Sequence, residues 1–235
     1  MKIKFLYTLL ILTAGYWVAN AQGETRIGIK VGSTSANIYG PNVSQLSNNG
    51  NTSSLAGFHF GVFVNSKISK YFWIKSEVLT IQKGSVLQIQ NSSGQSFQSK
   101  LKSQYIDVYP ISPTFHWKGF QLLAGPYISM LLSSSVQDSV GNTNSSVFGV
   151  PTSLKPYHQK LDAGYVVGVE YEFASLGISL GARYTHGYVP LFENPGIIVT
   201  SPSAPPLPAQ KIYNESFSIS LGYSFGGHRR GEPKK

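Results

Sequence analysis

The side chains in this sequence that could do chemistry are few. His59, Lys75, Glu77, Asp107, Asp162, Glu170, Glu172 and Arg183 each lie in a stretch of alternating residues, and register places them opposite the large apolar side chains. Charges of both signs on one face can pair with each other, line a proton or ion path, or serve acid–base catalysis. Catalysis needs a nucleophile, a base and an orienting acid brought together. His59, His116, His158, His186 and His228 fall in no Ser–His or metal-ligand spacing, although His186 precedes a long polar stretch and is the best placed of the five. The absence of cysteine excludes a thiolate metal site, a cysteine nucleophile, a disulfide scaffold and a lipid-anchored N-terminal cysteine. No catalytic residue, cofactor or metal is therefore expected, and the eight ionisable residues are read as a paired charge network. Glycines such as Gly28, Gly32, Gly164 and Gly168 fit no phosphate-binding loop and are read as easing close strand packing.

The elements that must position this network are strands. Phe217, Ile219, Leu221, Tyr223 and Phe225 alternate with Ser218, Ser220, Gly222 and Ser224, which is the dyad period of a sheet with one large apolar face. The same pattern runs over 176–184 and 162–173. In the latter, Tyr165, Val167, Val169 and Tyr171 oppose Asp162, Glu170 and Glu172. Less regular alternation predicts strands near 26–36, 57–65, 71–83, 103–116 and 120–132, for eight in all. Short connections at 66–70, 117–119 and 174–175 alternate with long polar ones at about 37–56, 84–102, 133–159 and 187–214. Strict alternation of short turns and long loops is the habit of antiparallel outer-membrane barrels, with short periplasmic turns and long extracellular loops.

Composition agrees with that reading. Charged residues are 12% of the 235-residue chain and aromatics 13%, a sparse-charge, aromatic-rich profile suited to a wall facing lipid. Phe72, Trp73, Trp117, Phe120, Phe173, Tyr223 and Phe225 fall beside the short turns or the last strand end and are expected to form an aromatic girdle at one interface. The formal net charge is +9, but Lys2, Lys4 and the tail residues Arg229, Arg230, Lys234 and Lys235 against Glu232 supply five of those charges. No basic stripe is left to support nucleic-acid binding. Lys2 and Lys4 precede an apolar run from Phe5 to Val18 ending at Ala19-Asn20-Ala21, so residues 1–21 are read as a signal peptide cleaved between Ala21 and Gln22. The barrel then occupies 22–225 and a basic periplasmic tail 226–235.

The segments Gly57-Phe-His-Phe-Gly-Val-Phe, Tyr105-Ile-Asp-Val-Tyr-Pro-Ile, Leu122-Leu-Ala-Gly-Pro-Tyr-Ile, Asp162-Ala-Gly-Tyr-Val-Val-Gly-Val-Glu-Tyr and Ile219-Ser-Leu-Gly-Tyr-Ser-Phe225 resemble the PorT-like outer-membrane β-barrel family of the Bacteroidota. The resemblance spans Arg26 to Phe225 and implies an all-β, eight-stranded, up-and-down transmembrane barrel in a Gram-negative outer membrane. Through the family's namesake it also implies an association with secretion machinery. Against that family, Tyr109-Pro110 adds one residue, expected to form a bulge.

In an eight-stranded barrel the lumen is only wide enough for side chains, so the charge network is expected to fill it. The sequence then points to a non-enzymatic protein, a structural or accessory subunit of an envelope complex. The alternative is an adhesion or ligand-binding barrel working through its loops; a narrow channel or a lipid-modifying enzyme ranks below both. Expected partners are outer-membrane lipid, lipopolysaccharide and envelope proteins. Asp138-Ser139-Val140 fits a short O-glycosylation pattern, and the Pro-rich stretch around Ile197-Ile198-Val199 is a candidate docking segment.

Overall fold

The structure, a computed structural model, describes residues 24–46, 51–90, 96–138, 153–155, 158–192 and 211–225. The expected leader with its Ala21–Gln22 cleavage point, the basic tail with His228, Ser139-Val140 and the Ile197–Val199 patch lie outside the described residues. Eight strands, β1 (Thr25–Tyr39), β2 (Thr52–Lys67), β3 (Phe72–Gln90), β4 (Ser96–Trp117), β5 (Phe120–Asp138), β6 (Leu161–Phe173), β7 (Ile178–Gly187) and β8 (Tyr213–Phe225), pair antiparallel with their sequence neighbours. β1 then pairs with β8, from Ile27 opposite Phe225 to Tyr39 opposite Tyr213, and closes the barrel. Closure leaves no open edge, the condition for a sheet to cross lipid with its backbone hydrogen bonds satisfied. No described helix is long and apolar enough to cross a membrane.

Alternation sorts the wall. In β1, Ile27, Ile29 and Val31 are about half exposed while Lys30 and Thr34 between and beyond them are buried. In β8, Phe217, Ile219, Leu221, Tyr223 and Phe225 face out and Ser218, Ser220 and Ser224 face in. Phe72, Trp117, Phe120, Phe173, Tyr223 and Phe225 all lie on the outer face at the short-turn end, with exposures between 42% and 57%. Trp73 does not join them. It is 4% exposed and turned inward beneath the Arg26 guanidinium, 5.2 Å from its ring. Adjacent strand residues point to opposite faces, so Phe72 outside requires Trp73 inside.

The register departs from regularity where Pro110 falls. Lys75 pairs with Ser112 and Glu77 with Tyr109, so β4 carries one residue more than β3 across this step. Pro110 and Ile111 are both exposed, and the inward set changes from odd positions up to Tyr109 to even positions from Ser112. A proline has no N–H to give to the ladder, and a bulge is where its absence costs least. The Ser76 hydroxyl donates to the Pro110 carbonyl at 2.6 Å.

One expected long loop is largely strand. β3 and β4 continue past the predicted ends and stay paired from Gln82–Gln104 to Gln90–Ser96, leaving only 91–95 between them where a loop over 84–102 was expected. Apart from Val86, the outward side chains of this extension, including Gln88, Lys100 and Lys102, are polar, so the hairpin projects beyond the apolar band and its sequence resembles a loop. Strict alternation of short and long connections therefore fails at this hairpin. The other loop-end connections span 40–51, 139–160 and 188–212, against 68–71, 118–119 and 174–177 at the turn end.

The tightest turn is Lys118-Gly119, with φ of +48° and +90° between the paired Trp117 and Phe120. Two successive residues with positive φ suit the right-handed twist of the strands they join. A Cβ on Gly119 would also lie 2.9 Å from the Glu172 carbonyl oxygen. Gly119→Val is expected to lower stability by about 1–2 kcal/mol, read as a drop in the urea midpoint of the barrel folded in vesicles, while Lys118→Gly leaves that midpoint unchanged or higher.

Candidate functional site

The inner wall brings the ionisable residues together in layers along the barrel axis. Nearest the turn end, the Arg26 guanidinium pairs with Glu172, and the Gln121 amide donates to the other Glu172 oxygen at 2.8 Å. Gln121 Oε1 in turn accepts from Lys75 Nζ at 3.0 Å. His116 Nε2 is 3.9 Å from Glu172.

The central layer holds three cations and two carboxylates. Lys30 Nζ lies 2.5 Å from both Glu77 Oε1 and Glu170 Oε1. Lys75 binds the remaining Glu170 oxygen. Arg183 takes Glu77 in a two-pronged pair and reaches Glu170 Oε1 at 3.1 Å. These five side chains come from β1, β3, β6 and β7, so the contacts cross the lumen except for Arg183–Glu170, which joins the neighbouring β6 and β7. His59 lies just above, with Nδ1 2.9 Å from the Thr34 hydroxyl.

A third layer is built on Lys83, which contacts Asp107 at 3.0 Å and Asp162 at 3.6 Å. Its ammonium also lies over the Tyr105 and Tyr127 rings, at 5.1 and 4.5 Å. Tyr109 joins this layer to the one below, because its hydroxyl donates to Asp107 at 3.1 Å while the Arg183 guanidinium sits 5.2 Å from its ring. Lys83 donates to Ser129 Oγ at 2.9 Å, and Ser129 donates to Asp107 at 2.6 Å. A Ser–Lys contact can serve a nucleophile, but Ser129 and Lys83 are 0% and 1% exposed.

Across the three layers, Arg26, Lys30, Lys75, Lys83 and Arg183 meet Glu77, Asp107, Asp162, Glu170 and Glu172. Burial of these ions is tolerable only because each has an opposite partner. The structure thus places His59, Lys75, Glu77, Asp107, Asp162, Glu170, Glu172 and Arg183 on the inner wall, each at most 6% exposed. Sequence reading missed Arg26, Lys30 and Lys83. The first two were legible, since they share a face with Gly28 and oppose Ile27, Ile29 and Val31. Lys83 was not, because Leu79 and Ile81 beside it on the inner face are apolar and Gln82 on the outer face is polar.

Above the charged layers the mouth is closed by an apolar cluster. Ile38, Leu87 and Leu101 from the strand tops meet Leu154, Leu191, Phe192 and Ile212 from the connections. Leu191 N–H donates to the Ile212 carbonyl and Gln159 N–H to the Leu191 carbonyl, both at 2.8 Å. His158 is buried against Phe192, ring centroids 4.7 Å apart, and neither of its ring nitrogens has a hydrogen-bond partner among the described residues. His186 lies elsewhere, on the outer wall near this end, between Tyr39 and Tyr184. Among the described residues no group of three His, Asp or Glu side chains is arranged to hold a metal.

A closed eight-stranded barrel with an apolar outer belt and a charged, filled interior is an integral outer-membrane protein. The chain belongs to the family described as outer membrane protein beta-barrel domain, whose profile matches residues 20–193. Among solved structures it is similar to Neisserial surface protein A (NspA), with a TM-score of 0.47 and 14% identity, covering 85% of this chain and 97% of that one. It is also similar to Ail, the attachment invasion locus protein of Yersinia pestis, with a TM-score of 0.41 and 10% identity, covering 86% and 99%. A search of curated proteins gave no match.

Two outcomes follow from the site. Glu170→Gln leaves Lys30 and Arg183 with Glu77 as their one remaining carboxylate and Lys75 with none, and should cost about 3–5 kcal/mol of unfolding free energy. Lys67→Gln, which removes a half-exposed 3.7 Å pair with Glu24, should cost less than about 1 kcal/mol in the same titration. At the mouth, burial pushes the His158 pKa down from 6.5 to about 4. Above pH 6.5 the imidazole is neutral whether the cap is open or closed. Between 6.5 and 4 only the opened form takes a proton, so cap stability falls with falling pH, by up to about 3 kcal/mol. Hydrogen exchange at the Leu191 amide should accelerate over that window beyond its intrinsic pH dependence, and His158→Phe should abolish the excess.

Proposed function

We propose that this chain is a non-enzymatic, non-conducting outer-membrane barrel that serves as a structural or accessory subunit of an envelope complex. The observation that carries this reading is the filled lumen, ion-paired through three layers and capped by Leu154, Leu191, Phe192 and Ile212. A barrel without a through-path or an accessible nucleophile works through its outside. The outer wall and the loop end, read as extracellular, are the surfaces available for docking. The PorT-like character of the five quoted segments supports a secretion-related complex among the envelope assemblies the barrel would join.

A second reading is favoured by the cap itself. The connections are anchored to a shared apolar core, so whatever they present is held on a rigid base, as binding loops require. On this reading the barrel is a surface adhesion or ligand-binding protein.

The deciding experiment is recovery of the tagged chain from native outer membranes in mild detergent, with partners quantified by mass spectrometry. A stoichiometric envelope protein is expected; a barrel recovered alone from every extract would remove the accessory-subunit reading and favour the loops. In planar bilayers the purified barrel should show no steady conductance, and a stable open level would refute the closed-lumen account.

A further inference from the structure

The outer wall near the loop end carries a second cluster that the lumen network does not involve. Cross-strand pairing sets Tyr165 beside His186 and His186 beside Glu215, on β6, β7 and β8. One step toward the barrel middle, Val167, Tyr184 and Phe217 are aligned in the same way, and one step further Val169, Ala182 and Ile219. Tyr39 and Tyr213, themselves paired between β1 and β8, complete the upper row.

The upper row is hydrogen-bonded into a relay. Tyr184 donates to Glu215 Oε2 at 2.9 Å and its oxygen lies 3.1 Å from His186 Nδ1. The Tyr39 hydroxyl lies 2.8 Å from His186 Nε2 and donates to the Gly187 carbonyl at 2.6 Å. Tyr39 stacks on the imidazole at 4.4 Å, with Tyr165 at 5.3 Å and Tyr188 at 5.4 Å. These contacts fix the Glu215 carboxylate among electron-rich rings.

The cluster differs from several aromatic residues of the barrel, and it resembles the outer Phe120–Tyr171 and Tyr223–Phe225 groups in having no lysine or arginine over its rings among the described residues. Trp73, Tyr71, Trp117, Tyr105, Tyr127 and Tyr109 each have a lysine or arginine of the chain over the ring. Among the described residues no lysine or arginine lies over Tyr39, Tyr165, Tyr184, Tyr188 or Tyr213, where His186 is the one basic ring, and Glu215 forms no salt bridge. Carboxylate and ring faces together attract a cation from outside.

Directly below, the wall is indented. A shallow, open depression of about 410 Å³ is lined mainly by Leu122, Val167, Val169, Ala182, Tyr184 and Phe217, with the buried Arg183 also bordering it and the small Ala182 side chain making room between larger neighbours. Tyr184 belongs to both features. A polar, cation-seeking row at the edge of the apolar belt, continuous with an apolar groove within it, has the shape of an amphipathic lipid.

We propose that this face is a binding site for a membrane lipid whose headgroup carries a primary ammonium. One acyl chain lies in the Ala182 groove, and the ammonium sits against Glu215 and the tyrosine rings. An ethanolamine phospholipid and an ethanolamine-decorated lipid A both supply this chemistry.

The test is lipid retention by the purified full chain, read by native mass spectrometry from mixed micelles. One competition pairs phosphatidylethanolamine with phosphatidylglycerol of identical chains. The other pairs lipid A with and without phosphoethanolamine. The amine-bearing member of at least one pair should be retained about fivefold over its partner, and the pair that shows the preference identifies the source. Glu215→Gln should abolish the preference without reducing total lipid retained, and Ala182→Leu, which fills the groove, should reduce retention of both members. Both substitutions face outward, away from the buried ion pairs, and an unchanged shift between heated and unheated electrophoretic mobility would show that the barrel is intact. Equal retention within both pairs, or a preference unaltered in folded Glu215→Gln, would overturn the assignment.

Discussion

Eight strands enclose a lumen that only side chains can fill, so each charge on the inner wall must find its counter-charge on that wall. The alternating pattern directs Lys30, Lys75, Glu77, Glu170 and Arg183 inward from four strands, three of which are not sheet neighbours of one another. Backbone hydrogen bonds tie each strand to the next, and the central ion layer ties β1, β3, β6 and β7 across the middle. Register and charge then enforce each other. A one-residue slip of β3 would turn Lys75 and Glu77 toward lipid and bring Ile74 and Ser76 into a site built for ions. The network thus selects one pairing scheme among those that the apolar pattern alone would allow, the role for which buried polar groups are best attested.

The interior changes character along its axis. Charged layers occupy the turn-end and central sections, and the mouth is filled by aliphatic and aromatic side chains from the strand tops and connections. An apolar closure over an ionic core keeps water from the salt bridges, which strengthens them, and it also anchors the loop bases. Interior and function are thereby separated: what the lumen contributes is rigidity, and recognition is left to surfaces that can vary without disturbing a charge balance.

How much of this could be read from sequence depended on whether the two faces of a strand met different solvents. β8 was plain, because Phe217 to Phe225 met lipid on one face and a crowded lumen of Ser and Gly on the other. The β3–β4 extension was opaque, because beyond the membrane both faces of a strand can be polar, and Gln88, Lys100 and Lys102 then look like loop residues. Lys83 was hidden by the same weakness, lying among inward apolar residues and beside an outward Gln82. Trp73 shows that nearness to a turn does not assign a face, since only the parity with Phe72 does. The cap was beyond reach, as its members come from positions as distant as Ile38 and Ile212 and share no periodicity.

The two ends of the outer wall show how a barrel with a neutral interior acquires polarity. At the turn end the interfacial rings carry cations of the chain itself, Lys118 over Trp117 and Lys70 over Tyr71, a pairing that lets long basic side chains cover apolar surface while their heads stay in water. At the loop end the tyrosines surround an imidazole and a carboxylate instead. Because the lumen charges cancel among themselves, they contribute little to that contrast, and the wall alone distinguishes one interface from the other. The contrast is local to the β6–β8 face near Glu215, since Lys100 and Lys102 lie outward toward the same end on the β3–β4 hairpin, and a partner or lipid at the membrane boundary meets a different set of side chains on each face.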